Sequence, residues 1–134
     1  MSSRKTKINY VLVVAYMLII FYLSSIPLQL PEIINKFDPR KIFLHIAEYA
    51  ILGFLLFNAT KKSWFSFPIG SLYGASDEIH QYFVPSRVAD PVDAAVDVIG
   101  VFLGILFFKY VWSKVISNIE IVNKSSLIEK NKME

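Results

Sequence analysis

Four apolar runs dominate the chain, each separated from the next by a short polar or proline-bearing stretch. The first, YVLVVAYMLIIFYLSSI (Tyr10 to Ile26), contains no charged residue and follows Arg4, Lys5 and Lys7. It is about the length needed to cross roughly 30 Å of hydrocarbon. A basic start before an apolar run also suits a secretory signal, but no small-x-small cleavage site follows, so the segment reads as a retained helix. The second run, KIFLHIAEYAILGFLLF, extends from about Lys41 to Phe57 and carries His45 and Glu48. The third extends from about Trp64 to Phe83. Its Trp64 and Phe65 sit where an aromatic belt forms, and Pro68 falls in the first turn, where a missing N–H costs little. The fourth extends from Pro91, well placed to start a helix, to about Trp112, with Lys109 able to snorkel from the far end. Beyond it the chain turns polar and ends NKSSLIEKNKME, which predicts a frayed tail.

The pattern predicts an all-α polytopic membrane protein: an up-down bundle of four transmembrane helices in residues 1–112, followed by a mobile polar cytoplasmic tail in 113–134. Lys and Arg near one set of ends are Arg4, Lys5, Lys7, Lys61, Lys62, Lys109 and Lys114, against Lys36, Arg40, Lys41 and Arg87 at the other. The positive-inside rule then places both termini in the cytoplasm.

Polar residues interrupt three of the four runs, and their depth is regular. At 1.5 Å per residue, His45 and Glu48 lie roughly 6 and 10 Å inside the end of their helix near Lys41. Asp77 and Gln81 lie roughly 10 and 4–5 Å inside the end near Val84, and Asp93 and Asp97 roughly 4 and 10 Å inside the start near Asp90. In an up-down bundle these three ends share one face. His45, Glu48, Tyr49, Leu52 and Gly53 form one helix stripe, Asp77, His80 and Gln81 a second with Glu78 offset toward Tyr82, and Asp93, Asp97, Gly100 and Gly104 a third. Gly70 with Gly74, and Gly100 with Gly104, are small-xxx-small pairs suited to close helix packing, with Gly53 a further small packing position. The turn VPSRVAD is short enough to make the third and fourth helices antiparallel neighbours. Arg87 at its centre is in position to pair with Asp77 or Asp93, since a guanidinium can hold carboxylates bidentately.

Composition agrees with the pattern. The 134 residues are 54% hydrophobic and 19% charged, with mean hydropathy +0.47. An ordinary soluble domain is about 45–50% apolar and about 25% charged. The absence of cysteine excludes disulfides, thiolate metal sites and a cysteine nucleophile. The net charge of +3 sits in short flanking clusters and makes no basic face, which argues against nucleic acid as a partner.

An ionised residue at mid-bilayer costs roughly 2.5–3.5 kcal/mol. Glu48, Asp77, Glu78, Asp93 and Asp97 must therefore be paired, protonated or wetted, and cannot face lipid. His45 with Glu48 at i, i+3 is a possible part of a metal site, because helix-borne Glu-x-x-His pairs bind metals in bundles. The order here is reversed and no second full pair is present, so an interhelical hydrogen bond is the better reading. No metal and no cofactor are assigned. Asp77, Glu78 and His80 supply acid/base groups, set against a purely structural network joining helices. Five acids exceed what helix adhesion requires, which favours a functional site. Tyr10, Tyr16, Tyr22 and Tyr73 read as packing or interface residues, whereas Gln81 and Arg87 read as functional.

These motifs resemble the VanZ-like family of small bacterial membrane proteins. The resemblance rests on HIAEYAILGFLL, on SDEIHQYFVPSR, and on the spacing of Asp93, Asp97, Gly100 and Gly104, and it spans roughly Tyr10 to Trp112. Ser86 stands where the family usually has glycine, Asp97 where it has asparagine, and Lys41 is four residues before His45 where the family's lysine is three before. The resemblance implies a multi-pass protein of the bacterial plasma membrane, in a family linked through its founding member to low-level resistance to glycopeptides of the teicoplanin type.

Three functions compete. The first is a non-enzymatic membrane protein of the cell envelope, whose outer-leaflet polar pocket binds an envelope lipid, a lipid-linked precursor or a lipophilic glycopeptide. The pocket is built from His45, Glu48, Tyr49, Asp77, Glu78, His80, Gln81, Arg87, Asp93 and Asp97. The second is an intramembrane enzyme acting on a lipid-linked envelope substrate, for which no nucleophile motif or phosphate loop is present. The third is a proton- or cation-coupled transporter, which a chain this short, with polar groups in one half only, would form by homo-oligomerising.

Overall fold

The computed structural model describes residues 3–27, 39–85, 87 and 89–133. Among them there is helix and no strand. The helices are α1 (Ser3–Ser24), α2 (Pro39–Thr60), α3 (Ser63–Tyr82) and α4 (Pro91–Phe107), and a π-helical stretch (Phe108–Trp112) leads from α4 into α5 (Ser113–Met133). Among the described residues, three segments are long and apolar enough to cross a membrane: Thr6–Ser24, Pro39–Thr60 and Pro91–Lys124. Lys36 and Ser86 lie outside the described residues.

Helix ends differ from the hydropathy pattern for a common reason: hydropathy marks where lipid ends, not where hydrogen bonding ends. α1 begins well before Tyr10 because nothing in SRKTKIN breaks a helix. The fourth helix does not stop near Trp112. The π turn is flanked by right-handed helical residues, Phe107 at φ −56° and Ser113 at φ −61°, and the segments of 17, 5 and 21 residues run on without Gly or Pro after Gly104. Together they reach roughly 65 Å, about twice the hydrocarbon thickness.

α3 has 20 residues, enough for roughly 30 Å, yet its average hydropathy is diluted by polar groups. Its sides are inverted relative to a soluble helix. Ser66, Asp77, Glu78 and Gln81 are buried, while Trp64, Leu72, Ile79 and Tyr82 are exposed. Pro68 lies one turn deeper than the pattern predicts. It is the sixth residue of α3, so the donor it lacks is the one that would reach the carbonyl of Trp64.

α2 and α4 share the most extensive interface, and glycine makes it possible. A Cβ on Gly104 would fall 1.9 Å from the carbonyl oxygen of Ala50, one on Gly53 2.3 Å from that of Val101, and one on Gly100 2.7 Å from that of Ile46. The two backbones are thus in direct contact. The pairs Lys41–Asp93 and His45–Asp97 share one offset of 52 residues, so α2 and α4 run parallel. Asn9 bonds to the Asn58 carbonyl at 3.5 Å and Tyr16 to that of Glu48 at 3.1 Å, which sets α1 and α2 antiparallel. Gly74 against Asp97 and Gly70 against Val101 set α3 antiparallel to α4. Val13, Ile20, Tyr49, Leu52, Leu56, Ala59, Val101 and Ile105 form the apolar core.

The α2–α3 turn consists of Lys61 and Lys62 alone, and Lys61 closes it at φ 57°. This left-handed conformation costs a non-glycine residue roughly 1–2 kcal/mol. Lys61 offsets part of that by bonding Asn58 Oδ1 at 2.7 Å and lying 4.3 Å above the Phe108 ring. Replacing Lys61 with glycine removes the strain along with those contacts, and is expected to leave stability within about 1 kcal/mol of wild type. Lys61→Ile keeps the strain and loses the contacts. It is expected to cost about 2 kcal/mol, read from unfolding midpoints in detergent.

Candidate functional site

Near the ends of α1 and α3 and the starts of α2 and α4, polar side chains from all four helices meet. Asp97, fully buried, takes His45 Nδ1–H at 2.9 Å on Oδ1. Asp93, one turn earlier and 1% exposed, is paired with the ammonium of Lys41. Glu78 of α3 accepts the backbone N–H of Asp90 on Oε2 at 3.0 Å. Asp90 also caps α4 by accepting from Val92 N at 3.0 Å. One ligand atom each from His45, Glu78 and Asp97 lies within 4.8 Å of the others. Oε1 of Glu78, Oδ1 of Asp93 and Oδ2 of Asp97 are buried with no hydrogen-bond partner among the described residues.

A second group faces α1. Asp77 takes the Ser24 hydroxyl at 2.5 Å on Oδ1 and the Gln81 amide at 3.0 Å on Oδ2. Ser25 gives its hydroxyl proton to the Phe21 carbonyl at 2.6 Å, so His80 Nε2–H donates to Ser25 Oγ at 2.9 Å. His80 also stacks on Phe21, with centroids 4.3 Å apart. It is therefore an α1 contact and stands apart from the cluster around Asp97.

Arg87 does not clamp the Asp77 and Asp93 stripes. Its Nε and Nη2 donate to the carbonyls of Ile26 at 3.2 Å and Leu23 at 3.0 Å. The last carbonyls of a helix lack partners within it, and those of α1 lie within the reach of this side chain. Asp93 takes Lys41 instead. His45 and Glu48, spaced as a potential ligand pair, both line a cavity beside α1, and His45 bonds Asp97 on α4.

That cavity measures about 400 Å³. Glu48, Asp77, Gln81 and Arg87 form its polar wall, together with His45, Ser24 and Tyr16, and Ile19, Leu23 and Leu44 form its apolar wall. Those three apolar side chains are 52%, 47% and 65% exposed, so on that side the cavity opens among residues that would meet acyl chains. Tyr49 does not line it. Its ring is fully buried in the notch left by Gly74 and Gly100, which makes it a packing residue with an unpartnered hydroxyl.

Sequence reasoning passed over Ser24 and Ser25, and it noted Lys41 without giving it a partner. The serines break an otherwise apolar helix at the face that also carries Val13 and Ile20, and that periodicity was the available signal. Lys41 lies one turn before His45, on the same stripe.

Residues 2–113 match the sequence model of the family described as VanZ/LLP1. No curated protein and no solved structure matches the chain.

Proposed function

Since the chain belongs to the VanZ/LLP1 family, we propose that it is a four-span membrane protein that holds the headgroup of an amphipathic envelope lipid in the cavity beside α1. The observation that carries this reading is the composition of the cavity walls. One is polar and carries both signs of charge, with Arg87 against Glu48 and Asp77; the other consists of exposed Ile19, Leu23 and Leu44. A water-soluble solute gains nothing from the second wall. A lipid, a lipid-linked precursor or an acylated glycopeptide uses both, burying its headgroup against the charges and its chain along the leucines.

α3 is the fourth crossing. Its acids and amide turn inward, and its aromatic and aliphatic residues turn outward, which is how polar groups are tolerated within a bilayer. The alternating helix directions and the two-residue α2–α3 turn support an up-down arrangement. The basic residues near α1's start and in the α2–α3 turn support cytoplasmic termini and, with them, an outer-leaflet cavity. Resistance to teicoplanin-type glycopeptides follows in this reading only if such a ligand, or the precursor it targets, occupies the cavity.

Native mass spectrometry of the protein released from nanodiscs of bacterial lipid extract tests the proposal. Wild type is expected to retain one lipid class preferentially, and Glu48→Gln with Arg87→Ala to lower that retention by about tenfold, or roughly 1.4 kcal/mol. Equal retention by wild type and the double variant would falsify the reading.

A further inference from the structure

The cluster on the α4 side of His45 shares only that side chain with the cavity wall proposed to receive the headgroup, and its chemistry is different. We propose that His45, Glu78 and Asp97 bind one divalent first-row transition-metal cation, zinc or manganese in type, at the junction of α2, α3 and α4. The proposal goes beyond the lipid-binding reading and does not depend on it.

Geometry is the first ground. Three ligand atoms, each from a different helix, lie within 4.8 Å of one another. Ligands bound at about 2.0–2.2 Å to a tetrahedral metal stand roughly 3.3–3.6 Å apart, so only a small contraction is needed. The 2.9 Å between His45 Nδ1 and Asp97 Oδ1 already approaches such a ligand edge, and an ion there would replace the proton these two atoms share, with the imidazole then protonated at Nε2.

Unsatisfied atoms are the second ground. Glu78 and Asp97 are 6% and 0% exposed, and each keeps one carboxylate oxygen without a partner among the described residues. A buried acceptor left unpaired costs about 1–3 kcal/mol, more when charged. The Asp90 N–H fixes Glu78 through Oε2 and leaves Oε1 for another occupant.

Charge and ligand type then select the ion. Lys41 answers Asp93, which leaves two carboxylates and a neutral imidazole in the cluster, matching a dication. An imidazole among carboxylates suits zinc, manganese or iron, whereas calcium and magnesium prefer oxygen alone. The donors also come from three helices, so the ion would tie α3 to the α2–α4 pair.

The test uses the untagged full chain in detergent, stripped with chelator and then loaded with zinc or cobalt(II). One equivalent is expected by elemental analysis after desalting. Cobalt should give visible d–d absorption, and the zinc X-ray absorption edge should report a single imidazole among oxygen ligands. Glu78→Gln and His45→Asn should each weaken binding by at least about tenfold, whereas His80→Asn should leave it unchanged. The wild-type X-ray absorption needs no variant, so it decides the matter even if the substitutions unfold the chain. Absence of stoichiometric metal in wild type, a zinc edge lacking imidazole, or binding carried by His80 overturns the proposal. Lipid retention measured on the same samples keeps this outcome separate from that of the headgroup pocket.

Discussion

Gly104→Ala is expected to destabilise the protein by about 3 kcal/mol, the upper range for forcing one methyl group into a closed contact, and Gly104→Leu to prevent assembly of the helices. The new Cβ would stand 1.9 Å from the Ala50 carbonyl oxygen and 2.7 Å from its carbon. A flexible side chain could swing aside, but a helix backbone cannot, so α2 and α4 must separate along their whole parallel contact. That separation also pulls Val101 from Leu52 and Leu56, where dispersion contacts stand in for the hydrophobic drive that lipid does not supply. Gly74→Ala is the internal control. Its nearest neighbours are side-chain atoms of Asp97 at 3.0 Å and Tyr49 at 3.2 Å, and a few tenths of an ångström of adjustment suffices. It should cost about 1 kcal/mol or less. Helical circular dichroism followed through a denaturing-detergent titration ranks the variants, and equal midpoints for Gly104→Ala and Gly74→Ala would show that the α2–α4 contact is not the limiting one.

Asp97→Leu is expected to cost about 3–5 kcal/mol, the range for removing one partner of a buried polar pair. The carboxylate accepts from His45 across the α2–α4 interface and is fully enclosed. Leucine would leave the imidazole donor facing hydrocarbon and would press on Gly74 and Tyr49. Asp97→Asn should retain most of the stability, since the amide oxygen can still accept from Nδ1 and the volume is unchanged. A difference of about 2 kcal/mol or more between the two variants is expected, measured by the same titration. Equal destabilisation would mean that the position requires the carboxylate's charge, which both variants remove, and not merely an acceptor of the right volume.

The number of apolar runs and the starts of α3 and α4 were legible in the sequence, because hydropathy and Pro91 report them directly. The meeting of the stripes carrying His45, Glu78 and Asp97 was legible in outline, because common depth and helical spacing constrain side chains even when packing is unknown. Partner choice was not. Whether Arg87 answers a carboxylate or the carbonyls of Leu23 and Ile26 depends on where α1 ends in space, and no spacing within the loop reveals that. Lys41 against Asp93 is a contact between residues far apart in sequence, set by the relative slide of two helices whose glycines fix the register. The course of the fourth helix beyond Trp112 was hidden for another reason: polar residues that promise no burial can still be good helix formers.

The backbone seam between α2 and α4 has a mechanical corollary. With three glycines locking carbonyl to Cα, these two rods behave as a single stiff mast, and α3 is moored to it by a hairpin too tight to flex. α1 packs Val13 and Ile20 into the core but has no such backbone seam, and its end is fastened through Ser24, Ser25, Tyr16 and the reach of Arg87 to the carbonyls of Leu23 and Ile26. Those clasps are polar and can be exchanged one at a time for equivalent partners, whereas the seam can only be broken whole. A ligand entering between Leu23 and Leu44 is therefore expected to displace α1 and to leave the mast in place.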